Sequence, residues 1–183
     1  ALVQTFADQA AIVLDNVRLL RTIEAQREEL ARYLPKTVAE LVSSPDGEKL
    51  LAGHRREVTA VYCDLRGFTS FAEAAEPEEV MAVIREYHRE MGAAIVAHGA
   101  TLEHFAGDGM MIYLNDPNPI ADHPIEGVRM AFEMHERYQA VCERWRREGF
   151  DLALGIGISV GYATLGRVGF EGLFYLGPHL DFQ

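Results

Sequence analysis

Apolar residues recur at helical spacing along the first 34 residues of the chain, and neither glycine nor proline occurs before Pro35. Two series at seven-residue intervals describe the pattern: Phe6, Val13, Leu20, Arg27 and Leu34, and Leu2, Gln9, Asn16, Ile23 and Leu30. Such heptads predict a parallel two-stranded coiled coil over residues 1–34, with polar seam positions that fix its register. The alternative is an amphipathic helix that packs on its own domain.

Pro35 ends this first helix, because the residue before a proline is disfavoured in helical geometry. A short helix over residues 36–42 is predicted next, followed by a turn at residues 43–47, which read Ser-Ser-Pro-Asp-Gly. We place a domain boundary near Gly53. Residues 35–53 are thus predicted to be a transducer helix and linker, and residues 54–183 a separate domain.

The second domain mixes strand-like and helix-like patterns. In chain order, it has a strand over 57–64, a helix over 77–97, strands over 101–105 and 110–114, a helix over 122–148, and strand segments over 151–160 and 162–168 around Gly161. This order predicts an α+β fold of the ferredoxin-like βαββαβ type. Two helices are expected to cover one face of an antiparallel sheet.

The net charge, the hydrophobic pattern and the cysteine content make some classes of function unfavourable for this chain. The formal net charge is −11, which argues against nucleic acid as a partner through bulk charge. No window carries the roughly 18 apolar residues that a membrane span needs. Cys63 and Cys142 have no partner at metal-ligand spacing and are expected to be reduced, buried thiols. We therefore expect a cytoplasmic protein without a membrane span in this chain.

Two aspartates stand where strands give way to glycine-containing turns. Asp64 ends the first strand, and Asp108 lies between two glycines in the predicted hairpin. Either residue alone is more typical of a simple turn. In this topology, however, we expect the first strand beside the strand that enters the hairpin, which brings the carboxylates close together. Such a pair repels unless a cation lies between its members, and Mg²⁺ prefers oxygen ligands of this kind.

Three motifs resemble those of class III adenylate and guanylate cyclases, and together they cover about residues 54–172. Cys-Asp-Leu-Arg-Gly-Phe-Thr-Ser-Phe within 58–71 resembles the first metal and phosphate motif. Leu-Glu-His-Phe-Ala-Gly-Asp-Gly-Met-Met at 102–111 resembles the second metal motif. Gly-Ile-Gly-Ile-Ser-Val-Gly and the later Gly-Arg-Val-Gly, within 155–169, are similar to the strand pair that follows.

The resemblance implies a cyclase catalytic core that converts ATP, or less favourably GTP, to a 3′,5′-cyclic nucleotide and pyrophosphate in signal transduction. It implies that Asp64 and Asp108 hold two divalent metal ions, Mg²⁺ or Mn²⁺, with help from the Leu65 carbonyl. The backbone amides of four residues are implied to meet the β- and γ-phosphates: Arg66, Gly67, Phe68 and Thr69. A homodimer is implied, because the family's working site forms between two catalytic domains.

The N-terminal stretch over residues 6–20 is similar to the closing helix of a GAF sensor domain. This resemblance implies an upstream sensor domain. A homodimer would then form through both the catalytic core and the N-terminal helix.

The chain departs from the family pattern at two places. His104 stands where adenylate cyclases usually have a base-reading Lys and guanylate cyclases a Glu, so it is a base-reading candidate, with a surface strand residue as the alternative. The family's last motif, with an Asn and an Arg, is missing after Gly172, so the catalytic core is expected to be incomplete at its C-terminal end. The alternative function is a catalytically impaired module for dimerisation or nucleotide binding. The signature of diguanylate cyclases is absent.

Overall fold

The computed structural model describes residues 2–31, 53–170 and 173–180. The chain divides into two compact units, Ala1–Glu40 and Leu41–Gln183. The predicted transducer segment 35–53 lies outside the described residues except for Gly53, so its helix and linker remain predictions.

The first unit contains helix α1, which spans Leu2–Ala31. Its length agrees with the uninterrupted helical pattern, since a glycine or proline inside the run would destabilise it. Five apolar side chains on this helix are between 40% and 60% exposed: Val13, Leu14, Val17, Leu20 and Ile23. The helix is therefore formed as predicted, and its apolar stripe is open.

Within residues 53–170 and 173–180, the second unit contains a five-stranded antiparallel sheet and three helices. In chain order its elements are β1 (His54–Arg66), α2 (Phe68–Ala74), α3 (Pro77–Ala97), β2 (Thr101–Ala106), β3 (Gly109–Leu114), α4 (His123–Arg147), β4 (Ala153–Phe170) and β5 (Leu173–Leu180). The strands lie in the order β2-β3-β1-β4-β5. The order of the first four strands confirms the predicted ferredoxin-like α+β core.

The neighbour of β1 differs from the prediction. Strand β1 pairs with β3, the strand that leaves the hairpin, and not with β2, which enters it. The connection through α3 leaves room for one strand between β1 and β2, and β3 fills that gap. The hairpin tip still reaches the end of β1, because the tip belongs to both of its strands.

Strand β4 and two further elements also differ from the sequence prediction. The two predicted segments around Gly161 are one continuous strand, in which Gly161 pairs with Val58 of β1. A glycine weakens a strand without ending it when the hydrogen-bond ladder continues on both sides. Helix α2 and strand β5 were not predicted; α2 has only seven residues and lies within what reads as a glycine turn.

The main core lies between one face of the sheet and helices α3 and α4. Alternate residues of β1 point into it: Val61, Cys63 and Leu65 are at most 2% exposed. They pack with large side chains from the two helices, including Tyr87, Met91, Met130, Met134 and Trp145. Among the described side chains, the opposite face of the sheet carries a small buried cluster, Val58, Tyr113, Ala163 and Leu165. The layered arrangement therefore leaves part of one sheet face available around the end of β1.

Candidate active site

Asp64 lies near the end of β1 on the face opposite the helices. Side chains alternate across a strand, so the burial of Cys63 and Leu65 against the helices turns Asp64 to the other face. Its carboxylate lies over Gly155 of β4, the residue directly opposite it in the sheet register. A Cβ atom built on Gly155 would come within 2.4 Å of Asp64 Oδ1. Only glycine therefore leaves room for this carboxylate.

Asp108 reaches the same end of β1 from the hairpin between β2 and β3. Gly107 supplies the left-handed backbone of the turn, with φ 65°. Cys63 pairs with Met110 in the sheet, so the hairpin tip lies beside the residues that follow Cys63. The backbone N–H of Leu65 donates a hydrogen bond of 2.9 Å to Asp108 Oδ2. The structure thus places Asp108 against the residue that follows Asp64.

The turn after β1 leads into the N-terminus of helix α2. Gly67 has φ 86°, a left-handed conformation that favours glycine, and it caps the helix without a side-chain hydrogen bond. The first backbone hydrogen bond of the helix runs from Phe71 N–H to Gly67 O at 3.0 Å. The amides of the first helical turn have no intrahelical acceptor, so they are available for an anion.

Helix α2 is held in place by aromatic packing. The rings of Phe68 and Phe71 lie 5.9 Å apart, and Phe71 contacts Phe150 with a centroid distance of 4.6 Å. Both phenylalanines of the helix pack against the main core. This anchoring holds the Gly67 turn next to the end of β1.

Among the described side chains, none forms an ion pair with Asp64 or Asp108. The Arg66 side chain shares the face of Asp64, since a Cβ atom on Gly155 would lie 3.1 Å from Arg66 Nε. Two neighbouring carboxylates of this kind form a site of negative potential that favours a cation.

The charges of these carboxylates also contribute to the pKa values of two groups in the core. Burial raises the pKa of the Tyr87 phenol above its ordinary value, and the neighbouring Cys63 thiol and the charges of Asp108 and Asp64 raise it further. Burial likewise raises the pKa of the Cys63 thiol; a hydrogen bond with Tyr87 opposes this rise, and the charge of Asp64 adds to it. Tyr87 and Cys63 are therefore neutral at ordinary pH.

Comparison with known proteins decides the family. The model of the adenylate and guanylate cyclase catalytic domain matches residues 51–175. The chain belongs to this cyclase family. It is 32% identical over 142 residues to adenylate cyclase 1 of Rhizobium meliloti (strain 1021), a match that covers 76% of this chain and 21% of that protein. The chain thus spans about a fifth of the length of this relative.

Solved cyclase structures share the fold. The guanylyl cyclase Cya2 superimposes with a TM-score of 0.66 at 34% identity, over 70% of this chain and 66% of the other. The adenylyl cyclase CyaB from P. aeruginosa superimposes with a TM-score of 0.68 at 26% identity, over 70% of this chain and 68% of the other. Proteins named for either base are therefore similar to this cyclase domain.

The donor atoms of this cyclase domain fit a hard divalent cation. Asp64 and Asp108 supply carboxylate oxygens, and the backbone carbonyl of Leu65 is a further oxygen donor in the same segment. Within the described ranges, no group of three or more His, Cys, Asp or Glu side chains could hold a metal ion. A site here would thus use two carboxylates and complete its coordination with backbone, water and phosphate oxygens, which Mg²⁺ accepts.

His104 lies on β2, at the far side of the hairpin from β1. It is opposite Met111 of β3, which in turn is opposite Tyr62 of β1, so these three residues form one row across the sheet. A bulge between Leu102 and His104 brings the His104 ring into a hydrogen bond with Glu103. The His104 side chain is 53% exposed, while that of Glu103 is 7% exposed.

The sequence patterns single out the strand-end aspartates, but they do not single out Gly155 or Tyr87. Gly155 was read only as part of a glycine-containing strand motif, whereas the register places it under the Asp64 carboxylate. Tyr87 was read as one member of an apolar helical stripe. The periodicity of apolar residues along a helix predicts that such a residue faces the core, but it does not predict the position of the hydroxyl group.

Proposed function

We propose that this chain is the catalytic domain of a nucleotide cyclase that acts in signal transduction. Its substrate is ATP, or less favourably GTP, and its products are a 3′,5′-cyclic nucleotide and pyrophosphate. The observation that carries the proposal is the juxtaposition at the end of β1, where the Leu65 N–H holds Asp108 beside Asp64. Membership of the cyclase family supports the same class of reaction.

Asp64 and Asp108 would hold two divalent ions, Mg²⁺ or Mn²⁺, with the Leu65 carbonyl as a further ligand. Bound divalent ions supply positive charge that favours ionisation of the ribose 3′-hydroxyl and neutralises the phosphates. The Leu65 N–H holds the Asp108 carboxylate by a hydrogen bond, and the lack of a side chain at Gly155 leaves space for the Asp64 carboxylate. These two contacts support a site whose carboxylates need little rearrangement when a ligand binds.

The turn after β1 would bind the β- and γ-phosphates through backbone amides. These amides belong to Arg66, the last residue of β1, and to Gly67, Phe68 and Thr69 at the N-terminus of α2. Amides in such a turn attract anions without requiring a basic side chain, which matters in a chain with a net charge of −11. The α-phosphate would then lie between this turn and the carboxylates, where the ribose oxygen attacks it.

His104 is our candidate for reading the base. Its position on β2, four residues before Asp108, and its exposure make it reachable from solvent. The adjacent Glu103 is its hydrogen-bond partner, so the base would meet a His–Glu pair rather than an isolated imidazole. One such contact changes the free-energy difference between use of ATP and use of GTP by about 1–3 kcal/mol. We therefore expect His104→Lys to change the ratio of ATP to GTP use several-fold.

We further propose a cytoplasmic homodimer controlled by an upstream sensor domain. The open apolar stripe of α1 supports pairing with the same helix of a second copy. Ile158, Val160 and Tyr162 of β4 are between 39% and 52% exposed, which supports a further contact through the catalytic core. None of the helices in the described ranges has the length and hydrophobicity needed to cross a bilayer.

The proposed pairing of α1 has its own test. Asn16→Leu replaces a polar seam residue with an apolar one and should tighten the dimer in sedimentation equilibrium. Thr22→Leu, on the same helix but outside both heptad series, is the matched control. If Asn16→Leu and Thr22→Leu change the dimer affinity equally, the proposed seam is wrong.

A turnover assay tests the proposed reaction. The chain is incubated with ATP or GTP and with Mg²⁺ or Mn²⁺, and cyclic nucleotide and pyrophosphate are quantified together. We expect both products in equal amounts, only when a divalent ion is present. Nucleotide binding without either product would favour the catalytically impaired signalling module instead. Products that persist when EDTA removes the metal would contradict the proposed chemistry.

A further inference from the structure

Arg66 is the last residue of β1, and its side chain lies on the same face of the sheet as Asp64. This side chain extends over β4: a Cβ atom built on Gly155 would come 3.1 Å from Arg66 Nε, and it would also touch Asp64 Oδ1. Gly155 is buried, whereas Gly157, two residues further along the same strand and face, is exposed and has nothing within 4 Å of such an atom. The side chains of Asp64 and Arg66 therefore lie together over Gly155.

The guanidinium of Arg66 is near the Asp64 carboxylate without forming an ion pair with it. Among the described side chains, none forms an ion pair or a hydrogen bond with Arg66, and the residue as a whole is exposed. A guanidinium readily binds a neighbouring carboxylate through two parallel hydrogen bonds, and Arg66 does not do so here. Its donors are therefore available on the face of the sheet where Asp64 would hold a divalent ion.

Arg66 also stands between the two halves of the proposed nucleotide site. Asp64 lies two residues before it, and the turn at Gly67, with φ 86°, leads directly after it into the N-terminus of α2. A phosphate chain bound both by metal ions at Asp64 and by the amides of this turn therefore passes beside Arg66. A protein with a net charge of −11 receives such an anion more readily where a cation lies at the site.

We propose that the Arg66 guanidinium binds the β- and γ-phosphates of the nucleotide, in addition to the backbone amides of the turn. This inference rests on the proposed function and adds a side-chain contact to it. The planar guanidinium matches phosphate oxygens in two-point contact, and its charge offsets the charge that develops on the leaving pyrophosphate. The same positive charge repels a metal ion at Asp64 until a phosphate group lies between them. Arg66 therefore favours binding of the metal-bound nucleotide over binding of the metal alone.

Two calorimetric titrations of the intact chain test this contact, one with Mn²⁺ alone and one with an ATP analogue without the 3′-hydroxyl in saturating Mn²⁺. The analogue cannot cyclise, so its binding is measured without turnover. Because hydrogen bonds between charged groups are stronger than neutral ones, we expect Arg66→Gln to bind the analogue about 10–100-fold more weakly. The same variant should bind Mn²⁺ alone as tightly as the wild type or more tightly, since a repelling charge is removed.

Arg85→Gln is the matched control, because it removes the same charge from an exposed position on α3 where no described side chain forms an ion pair with it. Both of its affinities should equal those of the wild type. Arg66→Lys keeps the charge and loses the planar group, so its affinity for the analogue should lie between those of the wild type and Arg66→Gln. An equal loss of analogue affinity in Arg85→Gln and Arg66→Gln would overturn the proposed contact, since the loss would then come from net charge.

The remaining outcomes separate this contact from the proposed function. Wild-type affinity for the analogue in Arg66→Gln, together with loss of Mn²⁺ binding in Asp64→Asn, would overturn the role of Arg66 and leave the metal site intact. Weaker binding of Mn²⁺ alone in Arg66→Gln would also overturn it, because the arginine would then support the metal site rather than the phosphates. Failure of the wild-type chain to bind the analogue in Mn²⁺ at all would overturn both the proposed function and this contact.

Discussion

The carboxylates at the two ends of strand β1 differ in whether they have an ion-pair partner. At the end where β1 begins, His54 Nε2 lies 2.6 Å from Asp116 Oδ2, and Asp116 is only 6% exposed. The backbone carbonyl of Asp116 accepts a hydrogen bond of 2.8 Å from Thr101. At the end where β1 finishes, Asp64 and Asp108 have no ion-pair partner among the described side chains.

The difference separates structural polar groups from functional ones. A buried carboxylate that is paired within the chain is compensated, and removal of its partner destabilises the fold because it leaves an uncompensated buried group. Adjacent carboxylates without such partners destabilise the fold through repulsion, and they persist where a ligand neutralises them. We therefore expect substitutions at the two ends of β1 to separate stability from metal binding.

The largest effect is expected from neutralising either site carboxylate. Asp108→Asn keeps the size of the side chain and an oxygen acceptor for the Leu65 N–H, but it removes the negative charge. Because loss of an outer-shell group already costs about 10–100-fold, loss of a ligand should reduce turnover by at least about 100-fold. Initial rates at saturating Mn²⁺ measure this. The melting temperature should stay the same or rise, and a variant with wild-type rates would remove Asp108 from the site.

A smaller effect should follow from filling the space under Asp64. In Gly155→Ala the new methyl group would lie within 2.4 Å of Asp64 Oδ1, so the carboxylate must move. Gly157→Ala is the control on the same strand and face, where nothing lies within 4 Å of the new atom. We expect about tenfold weaker Mn²⁺ binding in Gly155→Ala and little change in Gly157→Ala, by isothermal titration calorimetry. Equal affinities in the two variants would contradict the placement of Asp64.

A substitution at the opposite end of β1 should change the free energy of unfolding without changing metal affinity. Asp116→Ala removes the buried acceptor of His54 and is expected to lower the free energy of unfolding by about 1–3 kcal/mol. Urea denaturation measures this loss. Mn²⁺ affinity, determined well below the melting temperature, should match that of the wild type. A large loss of metal affinity in Asp116→Ala would show that the two ends of β1 are not independent.

The smallest effect concerns a paired carboxylate in the helical layer. A hydrogen bond from His98, at 2.6 Å from Glu126 Oε1, together with Arg129, holds the pKa of Glu126 below its usual range. The resulting stability is present above the ordinary Glu pKa of about 4.3 and is lost as the pH falls through the lowered value.

Glu126→Gln should therefore show a shallower fall of melting temperature on acidification from neutral pH than the wild type. Glu136→Gln, on the same helix, is the control, because no described side chain forms an ion pair with Glu136. If Glu126→Gln and the wild type lose stability in parallel, the pairing with His98 contributes nothing measurable.

Local signals account for the parts of the fold that the sequence predicted well. Helix α3 begins at Pro77 and ends at Ala97 as expected, because proline at the first turn, early acidic residues and Gly99 after the end are readable from neighbouring residues. The pairing of β1 with β3 could not be read in the same way. It depends on the crossover of a distant helix, and no residue within β1 specifies its neighbour.

The same distinction applies to the candidate site. Asp64 and Asp108 could be singled out because each follows or interrupts a strand at a glycine turn. Gly155 and Tyr87 could not, since their importance arises from contacts with residues far away in the chain. Gly155 lies under Asp64 through the β1–β4 register, and Tyr87 packs in the main core that also contains Cys63 of β1.

A crystal of the chain grown with Mn²⁺ and a non-cyclisable ATP analogue would test the central claim most directly. Anomalous scattering locates Mn²⁺ independently of the protein density. We predict anomalous peaks at the end of β1, about 2.1 Å from carboxylate oxygens of both Asp64 and Asp108, with phosphate oxygens completing the coordination. Bound analogue with Mn²⁺ at other residues, or with no peak near these two aspartates, would contradict the account.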